Sequence, residues 1–179
     1  MDDQSITFAG LWLRTKAFAL DYIVILGYLL ALTLLFLILN RLSNAFQELF
    51  RQRVQAQFVA FLLVTLPVTL YFAISESSVR QATWGKRRSG LRVTDHNGNR
   101  IHFPRALART LLKFIPWELS HTLIWQMYFS PGVNSVFINY GFVLVYVLIG
   151  LNIASLVMTK THRTLYDFLA GTYVVKNTL

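Results

Sequence analysis

Apolar side chains run almost without interruption through four stretches of this chain, and the polar positions between them come in groups. The first stretch, Tyr22 to Asn40, holds no charged residue. About 20 apolar residues rising 1.5 Å each cross a bilayer's hydrocarbon, so a transmembrane helix is predicted over 16–40. Arg14 and Lys16 precede it and Ser43-Asn44-Ala45 resembles a cleavage site. The run is nevertheless longer than the roughly 7–15 residues of a signal-peptide core, so it reads as a retained helix. A second uncharged run between Arg53 and Glu76 gives a span over 54–75, with Pro67 expected to kink it. Further on, Arg105, Arg109 and Lys113 recur every fourth position as one basic stripe, the pattern of a helix lying in the headgroup plane. Pro116 permits a bend, and Trp117 to Phe129 is apolar apart from Glu118, His121 and Gln126. A third span, kinked and amphipathic at its start, is therefore placed at 110–129. Leu119 to Thr159 lacks Asp, Glu, Lys and Arg, and the turn signal Ser130-Pro131-Gly132 divides it, leaving a fourth span over 134–158.

The polar segments predict a different kind of structure. In region 76–104, Leu91 to Asp95 and Asn99 to Phe103 alternate apolar and polar residues around His96-Asn97-Gly98, the signature of a β-hairpin. Pro104 should stop it, with a helix starting directly afterwards. In the tail, 160–179, Arg163 to Leu169 fits a short amphipathic helix that Gly171 can end, and Thr172 to Val175 reads as a strand. A lone strand is unstable, so it is expected to pair with the hairpin and bring Asp167 to the basic region. The fold class expected is an all-α integral membrane protein, one domain over 1–179, with four transmembrane helices and a small cytoplasmic β-hairpin joined by a C-terminal strand.

Composition agrees with this and charge adds orientation. A mean hydropathy of +0.48 with only 14% charged residues is too apolar for a soluble globule, where ~25% is usual. Between Glu76 and Lys113 lie nine basic residues and two acids, a balance of +7 out of the net +9. Such a cluster between spans marks the cytoplasmic side, which puts the weakly positive link 41–53 outside and both termini inside. Lys160, Arg163 and Lys176 favour the same placement for the C-terminus. Trp117, Trp125, Tyr128 and Phe129 suit interfacial positions. Nucleic acid is the competing partner for a pI near 10.2; the bilayer accounts for the charge alone, so none is expected. The absence of cysteine excludes disulfides, thiolate metal sites and cysteine nucleophiles.

Candidate chemistry centres on charges at the edges of the apolar runs. Arg14 and Asp21 lie seven residues apart, nearly two helical turns, and so share one face. Asp21 has two readings: a proton or cation site in a low-dielectric setting, or a structural ion pair with Arg14. Asp167 either gates such a site or caps a helix and pairs with an arginine. Glu118, Asn139 and Asn152 either line a polar pathway or serve as snorkelling and helix-packing groups; Gly150 and Ala154 suit close packing there. Glu118 and His121 have the spacing of a di-iron ligand pair but no second pair exists, so no metal site is expected. Gly85-Lys86 lacks the earlier glycine of a phosphate loop, and Arg87 stands at its Ser/Thr position. Lys86, Arg87, Arg88, Arg105, Arg109 and Lys113 are expected to touch anionic lipid headgroups. No Ser-His-Asp or paired-carboxylate pattern is present, and neither enzyme activity nor a cofactor is expected.

Three ordered blocks resemble the RDD family of bacterial membrane proteins: Gly10-Leu11-Trp12-Leu13-Arg14-Thr15-Lys16-Ala17-Phe18-Ala19-Leu20-Asp21, then Thr83-Trp84-Gly85-Lys86-Arg87-Arg88-Ser89-Gly90-Leu91-Arg92-Val93, then Arg163-Thr164-Leu165-Tyr166-Asp167-Phe168-Leu169-Ala170-Gly171-Thr172. Trp84 stands where the family usually has proline, and Tyr166 where histidine is common. The resemblance implies a multi-pass protein of the bacterial cytoplasmic membrane, with transport, including sodium–proton exchange, suggested for the family. Two functions are expected to compete: a small cation or proton exchanger using Asp21, Arg14 and Asp167, and a non-transporting assembly factor, partner-binding subunit or anionic-lipid module. Either suits a homo-oligomer or a larger membrane complex.

Overall fold

A computed structural model of the protein describes residues 7–43, 45–130, 132 and 135–177. Asn44, Pro131 and Asn134, on which the cleavage-site, turn and fourth-span readings partly rest, lie outside the described residues. Helix α1 (Leu11–Leu42) is followed by the short α2 (Ala45–Glu48). Next come α3 (Arg53–Ala60), a π-helical turn (Phe61–Thr65) and α4 (Leu66–Ser77), which follow one another without a break. After α5 (Trp84–Arg88) and β1 (Leu91–Thr94) come α6 (Phe103–Phe129), α7 (Ser135–Met158), α8 (Leu165–Leu169) and β2 (Tyr173–Lys176).

Among the described residues, three helical stretches are long and apolar enough to cross a membrane: Leu11–Leu42, Arg53–Ser77 and Val136–Met158. The expected third span belongs to α6, a 27-residue helix that continues through Pro116. It carries Arg105, Arg109, Lys113 and Glu118, which separate it in composition from the other three. Helix α1 starts five residues earlier than the hydropathy suggested, so that Arg14 lies in its first turn.

The second span shows how proline is accommodated. Pro67 has no N–H for the carbonyl of Leu63, four residues earlier, and its ring crowds that turn. The helix widens just before it: the Leu66 N–H reaches back five residues to the Phe61 carbonyl. The Leu63 carbonyl instead accepts a hydrogen bond from the Tyr28 hydroxyl at 2.6 Å.

The chain divides into two compact units. One comprises Met1–Ile23, Thr69–Lys113 and Gly150–Leu179. Its centre is a small apolar cluster of Ala9, Ala17, Ala73, Leu91, Val93, Ile101, Ala106 and Val174. Beside it, β1 and β2 pair antiparallel with Val93 opposite Val174. A third segment lies along β2, where the Ala9 N–H donates to the Val174 carbonyl and the Lys176 N–H to that of Thr7. The expected pairing of the terminal strand with the 91–94 arm is present.

The hairpin itself is corrected. Asp95 to Asn99 does make the tight turn, closed by the Asp95 N–H to Asn99 carbonyl bond at 3.0 Å with Gly98 at φ +80°. The second arm stops after a single bridge, Thr94 to Arg100. Ile101 turns into the apolar cluster, and α6 already begins at Phe103, with Pro104 in its first turn where a missing N–H costs nothing. The partner that completes the sheet is β2, from the far end of the chain.

The other unit comprises Val24–Val68 and Phe114–Ile149. Its helices pack closely where Gly141 meets Leu123: a Cβ on Gly141 would lie 2.6 Å from a Leu123 methyl. Polar contacts between its helices include the Gln57 amide donating to the Thr122 hydroxyl at 2.8 Å, the Thr65 hydroxyl to Glu118, and Arg53 to Gln126 at 2.6 Å.

Candidate functional site

Two carboxylate clusters occupy the interior of the first unit. The larger is built on Asp167, which is fully buried. Local sequence places it: Thr164 is the N-cap of α8, its hydroxyl accepting from the Asp167 N–H while the Asp167 carboxylate accepts from the Thr164 N–H. This reciprocal box satisfies two backbone donors at the helix start. The same carboxylate then receives two arginines. Arg14 donates to Oδ2 at 2.6 Å, and Arg109 to Oδ1 through Nε at 2.9 Å and Nη2 at 2.8 Å. Arg14 is further fixed by the carbonyls of Ala9 and His162, at 3.0 and 2.6 Å.

Arg109 is only 2% exposed and bridges to a second buried carboxylate, Glu76 at the end of α4, at 2.6 Å. Lys86 of α5 completes the set at 2.8 Å from Glu76. Three cations thus surround two carboxylates drawn from α1, α4, α5, α6 and α8. Burial by itself would raise the Asp167 carboxyl, but the charges of Arg109 and Arg14 hold it below the usual carboxylate range. The Arg109 guanidinium also lies over the Tyr166 ring, 5.1 Å from its centre.

Asp21 heads the smaller cluster, 1% exposed on the inner face of α1. It does not pair with Arg14, which corrects the ion-pair reading, one of the two that Asp21 allowed. Arg14 turns to Asp167, while Asp21 is met by the loop leading into α5. The Thr83 hydroxyl donates to Oδ2 at 2.5 Å, and Oδ1 accepts from the Gly85 N–H at 2.7 Å and the Tyr71 hydroxyl at 2.8 Å. Thr83 is also the N-cap of α5. The close approach needs glycine at position 85: a Cβ there would sit 2.1 Å from the Ala17 carbonyl oxygen. The Trp84 N–H donates to the Tyr71 oxygen at 3.1 Å, a bond that proline, usual at this place in the family resembled, does not supply.

The other expected site residues divide between interior and surface. Lys86 and Arg109 were expected at lipid headgroups and are corrected: their charges turn inward to Glu76 and Asp167. Lys113 is half-buried, its ammonium 3.6 Å from the centre of the Phe72 ring. Arg87, Arg88 and Arg105 are exposed. In the other unit, Asn139 is exposed, while Glu118 takes the Thr65 hydroxyl and has His121 Nδ1 at 3.7 Å. Asn152 is half-buried on α7. No group of three or more metal-ligating side chains exists among the described residues.

Glu76, Tyr71, Thr83 and Gly85 escaped the sequence reading as site residues. One signal was available for Arg109: Ala106, one turn back on the same helix face, is small, as a packed face requires, and is buried.

A family model covers these same clusters, matching residues 8–171 with the description RDD family. The chain belongs to the RDD family. Comparisons with curated proteins and with solved structures gave no match. The arginine and the two aspartates that the family resemblance pointed to are Arg14, Asp21 and Asp167. In this RDD protein they do not form one triad: Arg14 and Asp167 are partners, and Asp21 belongs to the α5 loop.

Proposed function

We propose that this RDD protein is a four-span protein of the bacterial cytoplasmic membrane, with both termini cytoplasmic, acting as a small cation or proton exchanger centred on Asp21. Helix α6 makes the third of the four crossings. The observation that carries the reading is the kind of donor around each carboxylate. Glu76 and Asp167 face arginine and lysine, which keep them ionised and fixed. Asp21 is held by two hydroxyls and a backbone N–H. A hydroxyl both donates and accepts, so Tyr71 and Thr83 can reorient when Asp21 gains a proton or meets a cation. In this reading Arg14 and Asp167 are the frame of the site and not its gate.

The test is flux into proteoliposomes of purified protein carrying an internal pH dye, under imposed Na⁺ and K⁺ gradients. Wild type should exchange, and Asp21→Asn, folded by circular dichroism, should not. Equal flux in the two would remove Asp21 from the mechanism.

A second reading is favoured by the Gly85 N–H and the Thr83 hydroxyl on Asp21: the carboxylate docks α5 on α1, and the protein is a non-transporting membrane module. Exposed Arg87, Arg88 and Arg105 are then contacts for anionic lipid headgroups, and a homo-oligomer or a larger complex is its working form. Absence of flux from folded wild type, together with retention of anionic lipid that Arg87→Gln and Arg88→Gln abolish, is the result that favours it.

A further inference from the structure

The second unit holds a cavity of about 620 Å³ within Val24–Val68 and Phe114–Ile149. That volume lies in the range of sites that enclose drug-sized molecules, roughly 300–1,000 Å³. Phe36, Phe50 and Trp125 supply aromatic wall, with Phe50 and Trp125 stacked at 6.5 Å and Phe36 edge-on to Phe50 at 5.5 Å. Three neutral polar side chains at its surface are engaged with protein. The Thr33 hydroxyl bonds its own helix at Leu29, Gln57 bonds Thr122, and Thr65 bonds Glu118.

Glu118 is different. It is a carboxylate on the wall of an apolar space, with 31% of its side chain accessible. Its two described contacts, from Thr65 and from His121 Nδ1 at 3.7 Å, both go to Oε1. The His121 contact is longer than a hydrogen bond and does not answer the charge. A carboxylate facing an apolar cavity is costly until a cation meets it. An acyl chain entering the cavity covers the apolar walls and leaves the carboxylate unanswered. A cation that is itself apolar satisfies both, meeting Oε2 with its charge and the aromatic faces with its body.

We propose that this cavity is a binding site for lipophilic organic cations, with Glu118 as counter-ion and Phe36, Phe50 and Trp125 as the aromatic wall. The site does not depend on Asp21.

The test uses the full chain in detergent micelles, with tetraphenylphosphonium as probe and tetraphenylborate as the anion of matched size and shape, in equilibrium binding. Glu118→Gln keeps an acceptor for Thr65 and removes the charge; Ala60→Trp fills the cavity and leaves Glu118 in place. Tetraphenylphosphonium should bind saturably to wild type, at least tenfold more weakly to Glu118→Gln, and not at all to Ala60→Trp, with tetraphenylborate excluded throughout. Equal binding of the two ions, an unaffected Glu118→Gln, or no saturable binding to folded wild type would each overturn the assignment. The first two would leave an apolar slot filled by lipid. Asp21→Asn should bind the phosphonium as wild type does, so failure of the exchanger reading and failure of this one give different results.

Discussion

The two units of this protein solve the burial of polar groups in opposite ways. In the unit around Asp167 the interior is charged: Glu76 and Asp167 are fully buried, and Arg14, Lys86 and Arg109 are aimed at them. In the unit around Gln57 and Thr65 no arginine or lysine is aimed at a buried carboxylate among the described residues: helices are joined by neutral bonds such as Tyr28 to Leu63 and Gln57 to Thr122, and Glu118 takes a hydroxyl from Thr65. The difference sets how each unit fails. Removing one partner from a buried ion pair strands a charge in low dielectric, whereas removing one partner from a neutral bond strands a dipole. The charged unit should therefore be brittle and the neutral one tolerant, although both carry apolar surface on the outside.

The largest effect is expected at the joint of the charged network. Asp167→Ala leaves Arg14 without its carboxylate and Arg109 with Glu76 alone, and removes the box that starts α8. The expected loss is about 3–5 kcal/mol, the cost of breaking a buried pair. Thermal unfolding in micelles, followed by circular dichroism, reads it. A loss below about 1 kcal/mol, the range of exposed pairs, would sink the claim that this interior is electrostatically brittle.

The same residue gives the contrast a pH signature. Its folded carboxyl lies below the unfolded value of about 3.9. Its contribution is therefore complete above that value and falls away as acid titrates the folded form. Unfolding scans from pH 6 downward should show stability declining below about pH 4, with a shallower decline in Asp167→Asn. Identical slopes in the two proteins would mean that other groups govern acid unfolding.

Gly85→Ala comes next, and tests steric closeness where the previous variants test charge. The new methyl would meet the Ala17 carbonyl at 2.1 Å and the Asp21 carboxyl carbon at 2.8 Å, both within the tight junction of α5 with α1. Backbone must move, at about 1–3 kcal/mol. Gly150→Ala has open space around it and should be nearly silent in the same assay. Equal effects at the two glycines would show that the α1–α5 approach is softer than the distances imply.

What could be read before folding follows from the range of each interaction. Apolar runs and turn residues are local, so three spans, the Asn97-Gly98 turn, the end of α8 at Leu169 and the need of β2 for a partner were legible. The charge network was not. Residues 14, 76, 86, 109 and 167 meet only through tertiary structure, and no periodicity links them. Arg14 and Asp21 share a helix face as expected, yet a common face does not make a pair when stronger partners arrive from α8 and from the α5 loop. Lys86 and Arg109 illustrate the same limit in reverse. Counted as loop charge they argue orientation correctly or not at all, but their side chains are interior groups that a headgroup cannot reach.

The smallest expected effect lies in the neutral unit, and it isolates the dipole half of the comparison. Tyr28→Phe removes the hydroxyl that satisfies the Leu63 carbonyl while changing little in shape. A carbonyl left unpaired costs about 1–3 kcal/mol. The cause assigned here is Pro67, which has no N–H to return to Leu63. Pro67→Ala restores that donor, so in its background the carbonyl gains a second partner and Tyr28→Phe should cost less. A double-mutant cycle measures the coupling between the two positions. If Tyr28→Phe costs the same with proline or alanine at 67, the tyrosine is not compensating for the proline, and the π-helical turn at Phe61–Thr65 satisfies this stretch of helix without help from α1.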